Sequence, residues 1–282
     1  MAGHSERQCR YIDSIVHDLN EGCLIGQVAS ETRDSLCNRL RRLDSMTAEI
    51  ETYAIPYNLY RYRSLRRIGK PDKEVLDREL RSIEQSSLWC SDFDNMNDPM
   101  EGAFEPSAAV KENRRYAELA QTIRDGKLGY GMCAFSEAKD IELMWAHYAD
   151  EFRGVCVSYS FRSLRYGLGS DKSFTRLCYS DSPPRVVNTT GPQNDILRIL
   201  STKHYRWQYE REWRLFTPVI GLNQYHRKLR NRPVVTRVYA GYRMDPSVRQ
   251  EIFERMNAIK IPVYVMSLEN YSIKFRLIRR PR

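Results

Sequence analysis

The chain has 282 residues, 41% hydrophobic and 11% aromatic, which excludes a disordered, collagen-like or low-complexity protein. No apolar run approaches the ~18–20 residues of a transmembrane helix, and residues 1–22 lack the apolar core of a secretory signal, so a cytoplasmic protein without a membrane span is expected. Seven scattered cysteines without CxxC spacing fit a reducing compartment, and a formal net charge of +9 favours a polyanionic partner: nucleic acid, a phosphorylated ligand or an acidic protein.

Residues 10–50 read as an amphipathic helical hairpin. Leu36, Leu40, Leu43, Met46 and Ile50 recur at three- and four-residue steps, with Arg39, Arg41 and Arg42 on the other side. Residues 51–56 form a junction, which divides the chain into a helical N-terminal extension (1–52) and a larger domain (53–282). Within that domain 56–65 is a Tyr-rich strand and 71–85 a helix with Pro71 in its first turn. Residues 87–102 run from a short strand into a polar loop. The spacing then predicts a helix over 106–125, a strand over 129–137, a short helix over 141–150 capped by Asp140, and a strand over 154–161. A strand over 174–181 and a helix over 194–206 follow. Strands over 212–219, 235–242, 261–268 and 271–278, with a helix near 246–258, complete the pattern. Strands and helices mix without βαβ alternation, so the expected fold is α+β, with a twisted, mostly antiparallel, split sheet and flanking helices.

The five histidines have no HExxH or paired spacing, so no metal is expected, and GxSxG is absent. His147, between Trp145 and Tyr148, suits a structural histidine better than a base. Four clusters remain. In Tyr60-Arg61-Tyr62-Arg63, a strand puts the tyrosines on one face and the arginines on the other, so one face can stack a ligand while the other grips phosphate; an exposed edge strand would read the same way. The turn formers around Asn97 and Asp98, ending at Glu101, make either a plain turn or a site wall. Phe135-Ser136-Glu137 with Met144, Trp145, His147 and Tyr148 outlines a pocket corner or simple helix-to-sheet packing. In Trp207–Phe216, Glu210, Glu212 and Arg214 alternate along a strand face, as an ion-pair ladder or a catalytic pair.

Residues 201–237 hold nine Lys/Arg against Glu210 and Glu212, interleaved with Tyr205, Trp207, Tyr209, Trp213, Phe216 and Tyr225. Such interleaving suits phosphate contact plus base stacking, and equally a solvated basic face with half the aromatics in the core. Arg227, Lys228 and Arg230 lie in its most polar stretch and are the expected acceptor contacts, together with Asn97 and Asp98.

The Y-x-Y-R, N-D-P-x-E, M-W-x-H-Y-A-D and Y-E-x-E-W-R-L strings together resemble a widespread bacterial family of unassigned function, from about Tyr57 to the C-terminus. More weakly, Leu59-Tyr60-Arg61, then Phe135-Ser136 with Tyr148, then Glu210-Arg211-Glu212 leading into a strand, resemble ADP-ribosyltransferases, including RNA-modifying toxins of bacterial phage-defence systems. The middle motif departs from a clean Ser-Thr-Ser, and the first arginine is either 61 or 63. That resemblance implies NAD as substrate without a metal, Glu212 and Glu210 as catalytic carboxylates, and Tyr60, Arg61, Tyr62, Arg63, Ser136, Trp145 and Tyr148 around the dinucleotide. It also implies RNA or a protein as acceptor. The apolar stripe of residues 10–50, outside the resemblance, either covers the domain or docks a partner such as an antitoxin. Two other readings stay open: a non-catalytic RNA- or partner-binding module, and a metal-independent ribonuclease using His147 or His204.

Overall fold

The computed structural model describes residues 24–25, 55–186, 192–229 and 231–278. The expected helical hairpin at 10–50 falls almost wholly outside them, as does Arg230.

A nine-stranded sheet organises the chain. Its strands are β1 (Leu24–Ile25), β2 (Asn58–Arg63), β3 (Gly131–Ser136), β4 (Val155–Ser160), β5 (Ser173–Arg176), β6 (Glu212–Thr217), β7 (Val235–Ala240), β8 (Val263–Glu269) and β9 (Ser272–Leu277). They run in the order β1-β5-β6-β3-β2-β4-β7-β8-β9. Every pairing is antiparallel except β7 with β8. The fold is therefore mixed α+β with a curled, mostly antiparallel sheet. Its weakest joint is central: β2 and β3 pair only through Tyr60 and Ser136, whereas β2 pairs with β4 along all six residues.

Alternation along the strands assigns each residue to a face. Leu59, Phe135, Val157, Trp213, Leu215 and Val238 bury themselves in the main core. Helices α1 (Asp72–Glu84), α4 (Phe161–Gly167) and α6 (Pro246–Ala258) close that face. Their apolar spacing dictates the docking: Val75, Leu76, Leu80 and Ile83 of α1 are buried, while Asp72 and Glu74 favour its N-terminal turn. The ends are fixed by side chains. Ser160 accepts the Ser163 amide to start α4, and Asp245 accepts the Ser247 amide ahead of Pro246 to start α6.

The other face carries two separate apolar clusters. Helices α2 (Tyr116–Leu128) and α5 (Pro192–Leu200) pack Ile123, Ile196 and Ile199 with Met132 and Phe216 at one side. Helix α3 (Glu142–Tyr148) packs Met144 and Trp145 with Tyr62, Cys156 and Tyr239 at the other. Between them lies a polar gap over the β6–β3–β2 region.

Several expectations are corrected. The strand expected at 174–181 is two, Ser173–Arg176 in the main sheet and Cys178–Ser180 paired in parallel with Thr202–His204. The 106–125 helix is a turn of helix at Ala108–Lys111 followed by α2. The helix at 194–206 ends at Leu200 and gives way to Thr202–His204 and a 3-10 turn, Tyr205–Glu210. Asp140 does not cap α3; the cap residue is Ile141, without a side-chain bond.

Candidate functional site

The polar gap is a cavity of about 100 Å³ lined by Tyr60, Tyr62, Asn97, Glu101, Ser136, Met144, Tyr148, Lys203, Glu210 and Glu212, among others. Its floor follows from strand register. Glu212 on β6 faces Ser136 on β3, and Ser136 faces Tyr60 on β2. Directly paired residues share a sheet face, so the three side chains form one row across three adjacent strands.

Glu210 reaches the same cavity differently from the expected strand alternation. It ends the 3-10 turn, two residues before β6 begins. Arg211 between the two glutamates is left-handed, at φ 45° and ψ 51°. That conformation is unfavourable for a non-glycine residue, and here it reverses the chain so that both carboxylates meet one lysine. Lys203 Nζ lies 2.7 Å from Glu210 Oε2 and 3.2 Å from Glu212 Oε2. Arg214 is fully buried two residues along β6. Its Nε and Nη2 donate to Glu212 Oε1 at 3.0 and 2.7 Å, and its Nη1 donates to the Leu200 carbonyl and contacts Glu101. The Glu212 amide donates to Tyr179 Oη at 2.8 Å.

The cluster thus holds three carboxylates against two cations. Burial alone would raise the Glu212 pKa, but Arg214 and Lys203 hold it below the ordinary glutamate value. Glu210 goes the other way: burial, then the Glu212 charge, raise it. Glu101 is raised as well, by burial and by Glu212, against the pull of Arg214. Two glutamates two positions apart therefore differ in proton affinity, the ionised one clamped by cations and the more basic one facing Tyr148. Tyr148 Oη donates to Glu210 Oε1 at 2.5 Å and accepts from Asn97 Nδ2 at 3.3 Å. Burial and the Glu210 charge push its phenol well above the ordinary value. Ser136 is fully buried, and its Oγ accepts the Ala138 amide at 3.2 Å.

The structure brings together Glu210, Glu212, Tyr60, Tyr62, Ser136, Tyr148 and Asn97. The remaining expected residues lie elsewhere. Trp145 is buried behind Tyr62, edge-to-face with it at 5.3 Å, its Nε1 bonded to the Lys139 carbonyl. Arg61 and Arg63 project to the opposite sheet face: Arg61 donates to the Trp89 carbonyl, and Arg63 forks onto Glu79 of α1 through two 2.7 Å bonds. Asp98 is a turn residue whose Oδ1 accepts the Met100 amide. Arg227 and Lys228 line a different cleft, beside Tyr225 and Lys260, that shares no residue with the cavity.

Three members were not singled out as site residues by sequence: Glu101, Lys203 and Arg214. Glu101 closes the N-D-P-x-E string, and Arg214 extends the Glu-x-Glu alternation, so both had a signal. Lys203 counted only as one of nine cations in a basic stretch; its burial between two glutamates is a tertiary fact. Trp213, Phe216 and Tyr225 of that stretch are also buried, whereas Tyr205 remains exposed.

Residues 144–215, about a quarter of the chain, match a family described as "Protein of unknown function (DUF2971)". The match opens on the M-W-x-H-Y-A-D string and closes on Leu215 of Y-E-x-E-W-R-L, so α3 and the Glu210–Glu212 segment bound it. No curated protein and no solved structure matches the chain. The chain is thus similar, through the segment that carries both carboxylates, to an uncharacterised family.

Proposed function

We propose that this cavity binds the nicotinamide riboside end of NAD and that the protein is an ADP-ribosyltransferase. The observation that carries the reading is the row Glu212–Ser136–Tyr60 across three adjacent strands, with a second glutamate two residues upstream in the same cavity. In this reaction the bond between ribose C1′ and the nicotinamide nitrogen breaks. The bonding pair leaves with nicotinamide, and positive charge develops on the ribose. Glu212, ionised and fixed by Arg214 and Lys203, stabilises that charge through a ribose hydroxyl, with no reorganisation at the moment of reaction. An ionised carboxylate offers about four acceptor sites, so the bonds from Arg214 and Lys203 leave room for one more donor. Glu210, more basic than its neighbour, takes the proton from the acceptor as its oxygen or nitrogen bonds to C1′. Tyr60, Tyr62 and Tyr148 supply the aromatic walls.

The overall positive charge supports RNA as acceptor, with a protein acceptor as the alternative, in the setting of a toxin or defence effector. A second reading has its own support: both Glu212 oxygens already contact cations, as a purely structural ion cluster would require. In that reading the protein is a non-catalytic binding module. Nicotinamide release from NAD by the purified protein separates them. Turnover that Glu212→Gln reduces supports the enzyme; no turnover, with or without RNA, overturns it.

A further inference from the structure

Tyr60 belongs to two cavities. Beyond its ring lies an open groove of about 610 Å³, lined by Pro56, Tyr57, Asn58, Tyr60, Glu137, Arg176 and Arg211. The groove is basic. Arg176 Nη2 donates to Glu137 Oε2 at 2.9 Å, and Trp213 Nε1 donates to Glu137 Oε1 at 2.6 Å, so Glu137 is already engaged at both oxygens. Arg211 is exposed, and among the described residues no carboxylate pairs with it. Its backbone is nonetheless pinned: the carbonyl accepts the Glu137 amide at 3.1 Å, and the amide donates to the Gln208 carbonyl. The left-handed turn that points Glu210 and Glu212 into the first cavity therefore sends the guanidinium between them into the second.

We infer that this groove is the diphosphate subsite of the dinucleotide, with Arg211 as its main anchor. The inference rests on the proposed function for the ligand's other end. A dinucleotide whose ribose lies against Glu212 must carry its diphosphate a short way off, past Tyr60 or away from it. The way past Tyr60 leads to a planar guanidinium without a described carboxylate partner, the group best matched to phosphate oxygens. Arg61 and Arg63, on the other sheet face and committed to Trp89 and Glu79, do not offer this. Arg211 thus couples the two parts of the ligand through one backbone turn.

The test uses inorganic pyrophosphate, NAD and nicotinamide riboside as separate probes, titrated by calorimetry against the full chain. The parent binds pyrophosphate, and pyrophosphate competes with NAD. Arg211→Ala weakens pyrophosphate and NAD at least tenfold and leaves nicotinamide riboside unchanged. Arg211→Gly, which suits a positive φ and so keeps the turn, gives the same loss; Arg211→Lys gives a smaller one. A parent that binds no pyrophosphate, or an Arg211→Gly variant that binds it as the parent does, overturns the subsite. Arg211-dependent pyrophosphate binding without any NAD turnover supports the subsite and instead overturns the proposed enzymatic function.

Discussion

Lys203 Nζ lies 2.7 Å from Glu210 Oε2, and both side chains are almost wholly buried. A buried pair of this kind contributes little net stability over an apolar substitute, yet leaving one partner alone is severe. Lys203→Met strands Glu210 beside a Glu212 that keeps only Arg214. We expect a loss of about 3–5 kcal/mol in urea denaturation. Adding Glu210→Gln to Lys203→Met recovers part of it by removing one stranded charge. If Lys203→Met is as stable as the parent, the glutamates do not depend on that cation.

The Arg63–Glu79 fork ties β2 to α1 and predicts an acid-sensitive component. Burial would raise Glu79, but Arg63 overrides it and lowers the carboxyl from 4.5 to about 2. The folded pKa lies below the unfolded one, so the stabilisation is full above pH 4.5 and is lost as pH falls towards 2. Its size is on the order of 3 kcal/mol. Urea midpoints between pH 7 and pH 2 should show this slope in the parent and lose most of it in Arg63→Ala, where Arg78 still donates to Glu79. NAD affinity should not change in that variant, because Arg63 faces away from the cavity.

Glu212→Gln should lower NAD hydrolysis by ~10²–10³-fold, the effect of removing one preorganised electrostatic group. Arg214 and Lys203 share its charge, so the variant also loses thermal stability, and activity must be read well below its melting temperature. Tyr148→Phe is the gentler probe. It removes the phenol that donates to Glu210, a hydrogen bond to a charged group worth about 1.5–3 kcal/mol. The expected outcome is a kcat roughly tenfold lower or less, with an acid limb of the pH profile displaced upward because Glu210 loses a bond that favours its ionised form. A kcat and profile identical to the parent's would remove Glu210 from the reaction.

Two glycines give a contrasting pair. A Cβ on Gly154 would lie 2.2 Å from the Arg63 carbonyl oxygen and 2.9 Å from the Ala149 backbone, neither of which can swing away. A Cβ on Gly129 meets nothing nearer than 3.4 Å. Gly154→Ala should lower the melting temperature by many degrees, and Gly129→Ala should leave it near or above the parent's, since alanine reduces the freedom of the unfolded chain. Equal melting temperatures would mean that the turn after α3 is not held tightly against β2.

Periodicity made much of this sheet legible from sequence. Residues 129–137, 154–161, 235–242 and 271–278 each contain the strand observed there, because their short apolar runs reflect real burial in the sheet. The segment 205–210 did not show itself. Tyr205-Arg206-Trp207-Gln208-Tyr209-Glu210 has no helical or strand period, and its 3-10 turn is held by tertiary neighbours such as Lys203. The carboxylates were visible as E-x-E and the aromatic helix as W-x-H-Y. The counter-ions were not, because Lys203 looks like every other lysine until Cys178–Ser180 pairs with Thr202–His204 and places it beside β6. Arg61 and Arg63 show the converse: sequence gave them the correct face relative to the tyrosines but not which face held the cavity.

The single pair of residues joining β2 to β3 has a mechanical meaning. On one face the two halves of the sheet are glued, since Leu59 and Val157 share a core with Phe135 and Trp213. On the other face their apolar clusters are separate, and only the cavity lies between. Opening the cavity would therefore bend the sheet about the shared core, its two sides parting above Tyr60 and Ser136. Such an opening would disturb one bridge of backbone hydrogen bonds and leave the six-residue ladders of β4 with β2 and of β6 with β3 intact.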